Sequence, residues 1–465
     1  MYSNLKFIKF LSLIVREYFK RYNFLIFFLL TSVITLILLL ITGLINFQNT
    51  SVTEGVIGTY QQHDLPETVT RLLSSGLTDF DKKGRVIPKL ANSWESNKEN
   101  SEFKFKLKEG LRWNDGTLIK SQDLEFTIPD VEVSFPSDST ILFKLKDSFV
   151  PFPSLLTKPL FKRGGNLTGI GPYKLKKIDT SRIFITKLSL TPLTSNLPVL
   201  FIRFYPNEKT ALTAFRLGEI QTLLGTNDIQ EFRSLAKVGL IRKTFFSKIV
   251  AILYNTSDPL LSSRSLRQAL SYAAPKVENE EIAKTPFSPN SWIYSEKNIK
   301  DYLSNKDDAG LALSRAKSNS SEILKKEIIL TATPQLEDVG KKVIKMWQEL
   351  GLNAKLRVES GIPQNFQALL ITQIIPQDPD QYQLWHSTQT LTNLSKYSSP
   401  RADKDLEDGR KTASEEERKE KYMDFQKVLM EDAPATFLYY PKYNIIYLKK
   451  IEGLLSKILP IQLPD

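Results

Sequence analysis

Residues 24–45, FLIFFLLTSVITLILLLITGLI, form the longest apolar stretch of the chain, twenty-two positions without a charge. At 1.5 Å rise per residue, a helix of that length matches a hydrocarbon core about 30 Å thick. A secretory signal peptide has a shorter apolar core, about 7–15 residues, and a small-x-small cleavage site. The following NFQNT offers no such site. The pattern therefore predicts an uncleaved transmembrane anchor over 24–46, with a cleaved leader as the alternative. Lys6, Lys9, Arg16, Lys20 and Arg21, against Glu17, put residues 1–23 on the cytoplasmic side. Residues 47–55 then read as a polar tether, with the folded ectodomain outside the cell membrane, on its periplasmic or extracellular face, from about 56.

Beyond the tether, short strand and helix patterns alternate. Phe103, Phe105 and Leu107 share one face of a strictly alternating run over 102–108, as do Ile141, Phe143 and Leu145 over 141–146. Asp115-Gly116 between them is a tight-turn signal. Further strands are predicted over 173–178, 183–190, 200–205, 436–440 and 445–448, and at alternating Leu352, Ala354, Leu356 and Val358. Val339, Val343, Met346, Trp347 and Leu350 form one helical stripe, which Gly351 is suited to end. A second helix opens at Ser414, whose spacing to Glu417 fits a capping box, buries Tyr422, Phe425, Val428 and Leu429, and stops at Pro434.

Composition narrows the chemistry. With 465 residues, 41% hydrophobic and 25% charged, the chain can fill more than one core. The absence of cysteine excludes disulfides, thiolate metal sites and a cysteine nucleophile. Two histidines, His63 and His386, leave little for a Ser-His-Asp triad, so no enzyme is expected, and no cofactor or metal. The net charge is +12, of which the first 22 residues carry +4. The rest is interleaved with acids rather than gathered in a stripe, which argues against nucleic acid.

Four stretches then take on a family character: 84–95 (GRVIPKLANSWE), 103–117 (FKFKLKEGLRWNDGT) leading into 121–126, 169–175 (GIGPYKL), and 253–257 (LYNTS) followed by 265–273. In that order they resemble the extracellular solute-binding proteins of family 5, the oligopeptide- and dipeptide-binding components of ABC importers. Weaker matches at 377–381, 397–406 and 431–434 extend the likeness over about 56–448. The resemblance implies an α/β, two-lobed periplasmic-binding-protein-like fold of the class II type. Lobe I would take 56–252 and 439–465, and lobe II 253–438, with two hinge crossings. It also implies an extended peptide enclosed between the lobes, its backbone paired to protein main chain.

Two departures stand out. A helical segment that the family carries between Phe126 and Val131 is missing, and Ile375 stands where peptide-binding members have an acid for the ligand's amine. Asp378 or Asp380 would have to replace that acid, or the ligand presents no amine there.

The candidate ligand residues are accordingly Asp378 and Asp380, with Tyr382 and Trp385 as aromatic walls; Thr372, Gln373 and Ile374 on the preceding strand; and Leu65 and Glu67 from the first lobe. Each has a plainer reading. The aspartates can cap a helix beginning near Asp380, the strand can be ordinary interior, and Glu67 can be a first-turn acid. Trp94, Trp113, Asp115 and Gly116 read as structural, Arg267 as a packing ion pair, His63 as a loop residue and His386 as a helix-surface residue. The expected function is a membrane-anchored, monomeric receptor that delivers peptides to ABC permease subunits served by cytoplasmic ATPases. Alternatives are a ligand-sensing or interaction module, or a binder of a nickel complex or oligosaccharide.

Overall fold

The computed structural model describes residues 51–463 except 228, 298 and 320–324, together with 12, 13, 16, 17, 20, 28 and 31–38. Most of the expected anchor over 24–46 therefore lies outside the described residues. Among the described residues, no helix is long and apolar enough to cross a membrane. The tether is shorter than expected, because β1 already begins within it, at Ser51–Ile57. The alternation there was masked: Val52 and Val56 point inward as a strand requires, but the third inward residue is the ionisable Glu54.

From β1 the chain passes through α1 (Glu67–Leu73) into a small module. That module holds a two-stranded ribbon, β2 (Thr78–Phe80) and β3 (Val86–Pro88), and a four-stranded antiparallel sheet. The sheet strands are β4 (Ala91–Ser96), β5 (Glu102–Leu107), β6 (Val131–Ser137) and β7 (Thr140–Leu145), in the order β4-β5-β7-β6. The inward faces of β5 and β7 supply Phe103, Phe105, Ile141 and Phe143, which close on Phe152 and Trp113. Ring centroids there lie 5.0–5.6 Å apart, the spacing at which tilted and edge-to-face aromatics attract. Trp113 and the Asp115-Gly116 turn are thus structural, with Gly116 at φ 90° and Asp115 accepting from the Thr117 amide.

The chain returns to the first sheet through β8 (Tyr173–Ser181), β9 (Phe184–Pro192) and β10 (Val199–Tyr205). It then adds α2 (Glu208–Arg216), β11 (Thr222–Thr226) and β12 (Val238–Thr244). A second sheet starts with β13 (Lys248–Tyr254) and α3 (Arg264–Tyr272). It continues through β14 (Glu281–Ile282), α4 (Lys306–Asn319), β15 (Ile328–Ala332), α5 (Glu337–Glu349), β16 (Ala354–Val358) and β17 (Ala368–Ile374). Three helices follow, α6 (Tyr382–Trp385), α7 (Pro400–Lys411) and α8 (Glu415–Asp432), then β18 (Ala435–Tyr440). The last elements, β19 (Lys442–Leu448) and α9 (Glu452–Gln462), rejoin the first sheet.

Two large sheets result. The first has seven strands, ordered β12-β19-β11-β1-β10-β9-β8; the second has six, ordered β14-β18-β13-β17-β15-β16. Central β13 is apolar without alternation, because both of its faces are covered: Ile249 to Tyr254 are at most 1% exposed. The chain crosses between the sheets at 245–247 and at Pro441. The crossings lie side by side, with the Phe245 amide donating to the Pro441 carbonyl at 2.9 Å. Phe245 stacks on Tyr443 at 4.5 Å and Phe246 meets Tyr440 edge-on at 5.3 Å, so aromatic pairs brace both strands of the hinge.

Two expectations change. Arg267 is buried but, among the described residues, makes no ion pair with a side chain; its guanidinium donates to the carbonyls of Leu261, Ser262, Asp432 and Ala433. It serves the carbonyls that the end of α8 leaves open. His386 is not on a helix surface. It is 3% exposed, lies just beyond α6, stacks on Tyr382 at 4.0 Å and meets Thr388 and Glu407.

Candidate ligand cleft

The C-terminal end of β17 runs toward the hinge, where Ile374 pairs with Lys248 and the Ile375 amide donates to Ser247. Along one edge β17 is paired to β13 over its whole length. Along the other, β15 covers only Ala368, Leu369 and Leu370. Beyond Leu370 that edge carries no further ladder among the described residues, so Thr372, Gln373 and Ile374 present an open strand edge. Thr372 is exposed, and Ile374 is 69% exposed although it is β-branched and apolar. Gln373 has a buried Oε1 with no hydrogen-bond partner among the described residues. An unpaired edge and an orphaned amide oxygen are both costly unless something covers them.

Below that edge the chain turns through Asp378-Pro379-Asp380 into α6. Both carboxylates are engaged by arginines. Asp378, 6% exposed, accepts from Arg418 Nη2 at 2.8 Å and from the Asp380 amide at 3.0 Å. Burial alone would lower Arg418, but Asp378 and the Tyr422 hydroxyl outweigh it and hold the guanidinium charged. Asp380 accepts from Arg410 Nε at 3.0 Å and from the Tyr382 amide. Its carboxyl is pushed up by burial, against the pull of Arg410. A ligand amine at either aspartate would share it with an arginine.

Arg410 does more than neutralise Asp380. Its guanidinium lies between two rings, 4.1 Å from the centroid of Tyr382 and 4.8 Å from that of Phe149 in the small module. Its carbonyl accepts from the Val150 amide at 2.8 Å. A second bridge joins Arg85 to Glu415 through Nε and Nη2, the latter at 2.6 Å. The small module thus reaches across to the second sheet's helices at two points.

The remaining sequence candidates separate. Trp385 is 2% exposed, packs on Phe437 and donates Nε1–H to Gln381, which places it in the core rather than on a wall. Leu65 is buried in the core of the first sheet, and Glu67 is an exposed first-turn acid paired with Arg71 at 2.7 Å. Neither has a described contact with β17 or with the aspartates. A cavity of about 370 Å³ between Phe80–Lys82, β12, β19 and α9 is lined by none of the candidates. Arg410, Arg418, Phe149 and Arg85 escaped the sequence reading. The two lobe II arginines sit in GRKTASEEERKEK, which looks like any solvated charged surface, and only tertiary proximity to 378–380 distinguishes them.

Residues 85–390 match the family described as bacterial extracellular solute-binding proteins, family 5 Middle. This chain belongs to that family. Its relatives include the oligopeptide-binding protein AppA of Bacillus subtilis (strain 168), 23% identical over 85% of each chain. The structure of AppA in complex with a nonapeptide superposes with a TM-score of 0.65 over 86% of this chain and 94% of that one, at 21% identity. NikZ from Campylobacter jejuni, in complex with Ni(L-His), gives a TM-score of 0.68 at 23% identity over the same shares. The two-lobed α/β fold is therefore that of solute-binding proteins, a family of binders rather than enzymes. Among the described residues no group of three or more His, Asp or Glu is placed to hold a metal ion.

Proposed function

We propose that this protein is the receptor of an ABC importer, anchored by 24–46, which captures peptides in extended conformation and hands them to a permease. The observation that carries the peptide reading is the unpaired edge of β17 at 372–374, beside the hinge. A peptide laid there adds a strand, so that backbone hydrogen bonds supply affinity while side chains remain unconstrained. Thr372, Gln373 and Ile374 offer that main-chain edge, and the Gln373 amide oxygen accepts a donor. Tyr382 walls one side. Asp378 and Asp380 act through their arginines, Asp378 by anchoring the turn and Asp380 by orienting Arg410. Leu65 and Glu67 belong to the opposing lobe. By the two crossings that lobe is taken as 51–244 with 442–463, not 56–252 with 439–465, because β13 and β18 lie wholly in the second sheet, and it closes on 248–440.

Strand addition has a specific test. Binding of short peptides of unrelated sequence, followed by calorimetry, should give comparable affinities. N-methylation of alternate backbone amides should weaken binding at least about tenfold, the loss of one or two net hydrogen bonds. Ligands released from the purified protein and identified by mass spectrometry should be a mixture of peptides. A single non-peptide solute, such as a nickel complex or an oligosaccharide, or indifference to N-methylation, would overturn the peptide reading while leaving the receptor one.

A further inference from the structure

The end of the first sheet at which β1 begins has an unusual surface. Register places together there the starts of β1, β8, β10, β11 and β12 and the ends of β9 and β19. Ser51 pairs with Val199, Glu54 with Thr222, Tyr447 with Thr222, Leu448 with Val238, and Tyr173 with Pro192. With neighbouring strands about 4.8 Å apart, this row is roughly 30 Å wide. The segments that turn at it expose Leu193 (52%), Leu217 (71%) and Leu235 (49%). Between and beside them Lys237, Lys449 and Lys450 are exposed and, among the described residues, carry no ion pair. Of the neighbouring arginines, Arg203 pairs with Glu219 at 3.3 Å and Arg216 with Glu231 at 2.5 Å, while exposed Arg233 carries no ion pair among the described residues and adds to the positive charge of the lysines. Glu452 is the acid adjoining the lysines and accepts the Tyr447 hydroxyl.

Three isolated leucines on a surface need no explanation by themselves. Their place does, because the chain enters the fold at this same end, and this inference rests on the anchor reading above. If the anchor ends at residue 46, residues 47–50 span at most about 14 Å. The end of the sheet is then held against the bilayer surface. Apolar side chains flanked by unpaired lysines are the composition that suits an interface of acyl chains and anionic headgroups.

We propose that this end of the first lobe is a membrane-apposed surface, resting on anionic phospholipid through Leu193, Leu217 and Leu235, with Lys237, Lys449 and Lys450 on the headgroups. The ectodomain then stands on its first lobe instead of swinging freely on the tether.

The chain has no cysteine, so a single introduced thiol reports one position. The full-length protein is reconstituted into vesicles of phosphatidylglycerol and phosphatidylcholine, or of phosphatidylcholine alone. A nitroxide is placed at Leu217→Cys or, as a control, at Ile183→Cys. Ile183 is 63% exposed and lies at the β8–β9 hairpin tip, roughly 27 Å along the strand. In anionic vesicles the label at 217 should be accessible to oxygen and shielded from a water-soluble paramagnetic chelate, and the label at 183 should not. Shielding should weaken in neutral vesicles, in the Lys237→Glu/Lys449→Glu/Lys450→Glu variant, and at 1 M salt, where the screening length falls to about 3 Å. Protein that floats with the vesicles while both labels stay equally open to the chelate overturns the surface and leaves the anchor. Protein that fails to float overturns both.

Discussion

Glu54 is the residue whose chemistry most clearly depends on the fold. It lies on central β1, is fully buried and accepts a hydrogen bond from Gln462 of α9 at 2.7 Å, while its second oxygen has no partner among the described residues. Burial pushes its carboxyl up to about 8, against the opposing pull of the Gln462 bond. The folded protein therefore keeps a proton that the unfolded chain releases near pH 4.5. The stability this contributes is complete below about 4.5 and is lost as the pH rises to about 8, at up to roughly 1.4 kcal/mol per pH unit. Glu54→Gln should remove that slope and gain stability relative to the parent above pH 8; urea unfolding at pH 5.5, 7 and 8.5 measures it. At Asp378 the outcome reverses. Asp378→Asn leaves Arg418 buried without its counter-charge and should cost about 3 kcal/mol in the same assay. Asp378→Asn combined with Arg418→Met should cost less than the sum of the two single variants. Neither role was legible in sequence: a lone Glu in SVTEGVI looks like a tether residue, and the Asp378 partner is forty positions away.

At the scale of elements, the Gly-Ile-Gly-Pro-Tyr motif shows what a family marker does physically. The Gly171 amide donates to the Leu73 carbonyl at 2.7 Å, where α1 ends, and a β-carbon at 171 would sit 2.5 Å from the Leu72 carbonyl oxygen. The glycine lets the return strand dock against the end of α1. Gly171→Ala should destabilise by roughly 1–3 kcal/mol through overpacking, seen as a fall in Tm without loss of far-UV signal. Helix ends were legible where a cap or a breaker marks them. Ser414 caps α8 by accepting from the Glu417 amide, as its spacing predicted, and Gly351 takes φ 86° after α5. These outcomes depend on neighbours within one turn. The end of α8 was foreseeable from Pro434, but not that Ala433 would adopt φ 48° there, a left-handed ending more usual for glycine.

For the molecule as a whole, the arginine between Phe149 and Tyr382 is the contact on which the proposed closure would act. It joins the small module to the helices beside the candidate cleft through two rings, a carboxylate and a backbone hydrogen bond. Arg410→Ala keeps the backbone bond and removes the rest. It should shift the protein toward more open forms, with a larger radius of gyration by small-angle scattering, several-fold faster ligand release and a lower Tm, because Asp380 is left buried without its counter-charge. Arg85→Ala, which cuts an exposed pair, should move all three quantities less.

The sequence by itself determined what is local or cumulative: the apolar run at 24–45, the alternating strands, the helix starts and stops, the absence of thiol chemistry, and the order of motifs that marks the family. Tertiary structure alone decided which strand edge is left unpaired, which arginines meet Asp378 and Asp380, and which leucines and lysines gather where the chain enters the fold. Periodicity reports the face a side chain prefers, because backbone geometry fixes it within a few residues. Pairing across 30 to 400 positions depends on how sheets and helices pack. Charged residues carry no signal of that partner until the chain has folded.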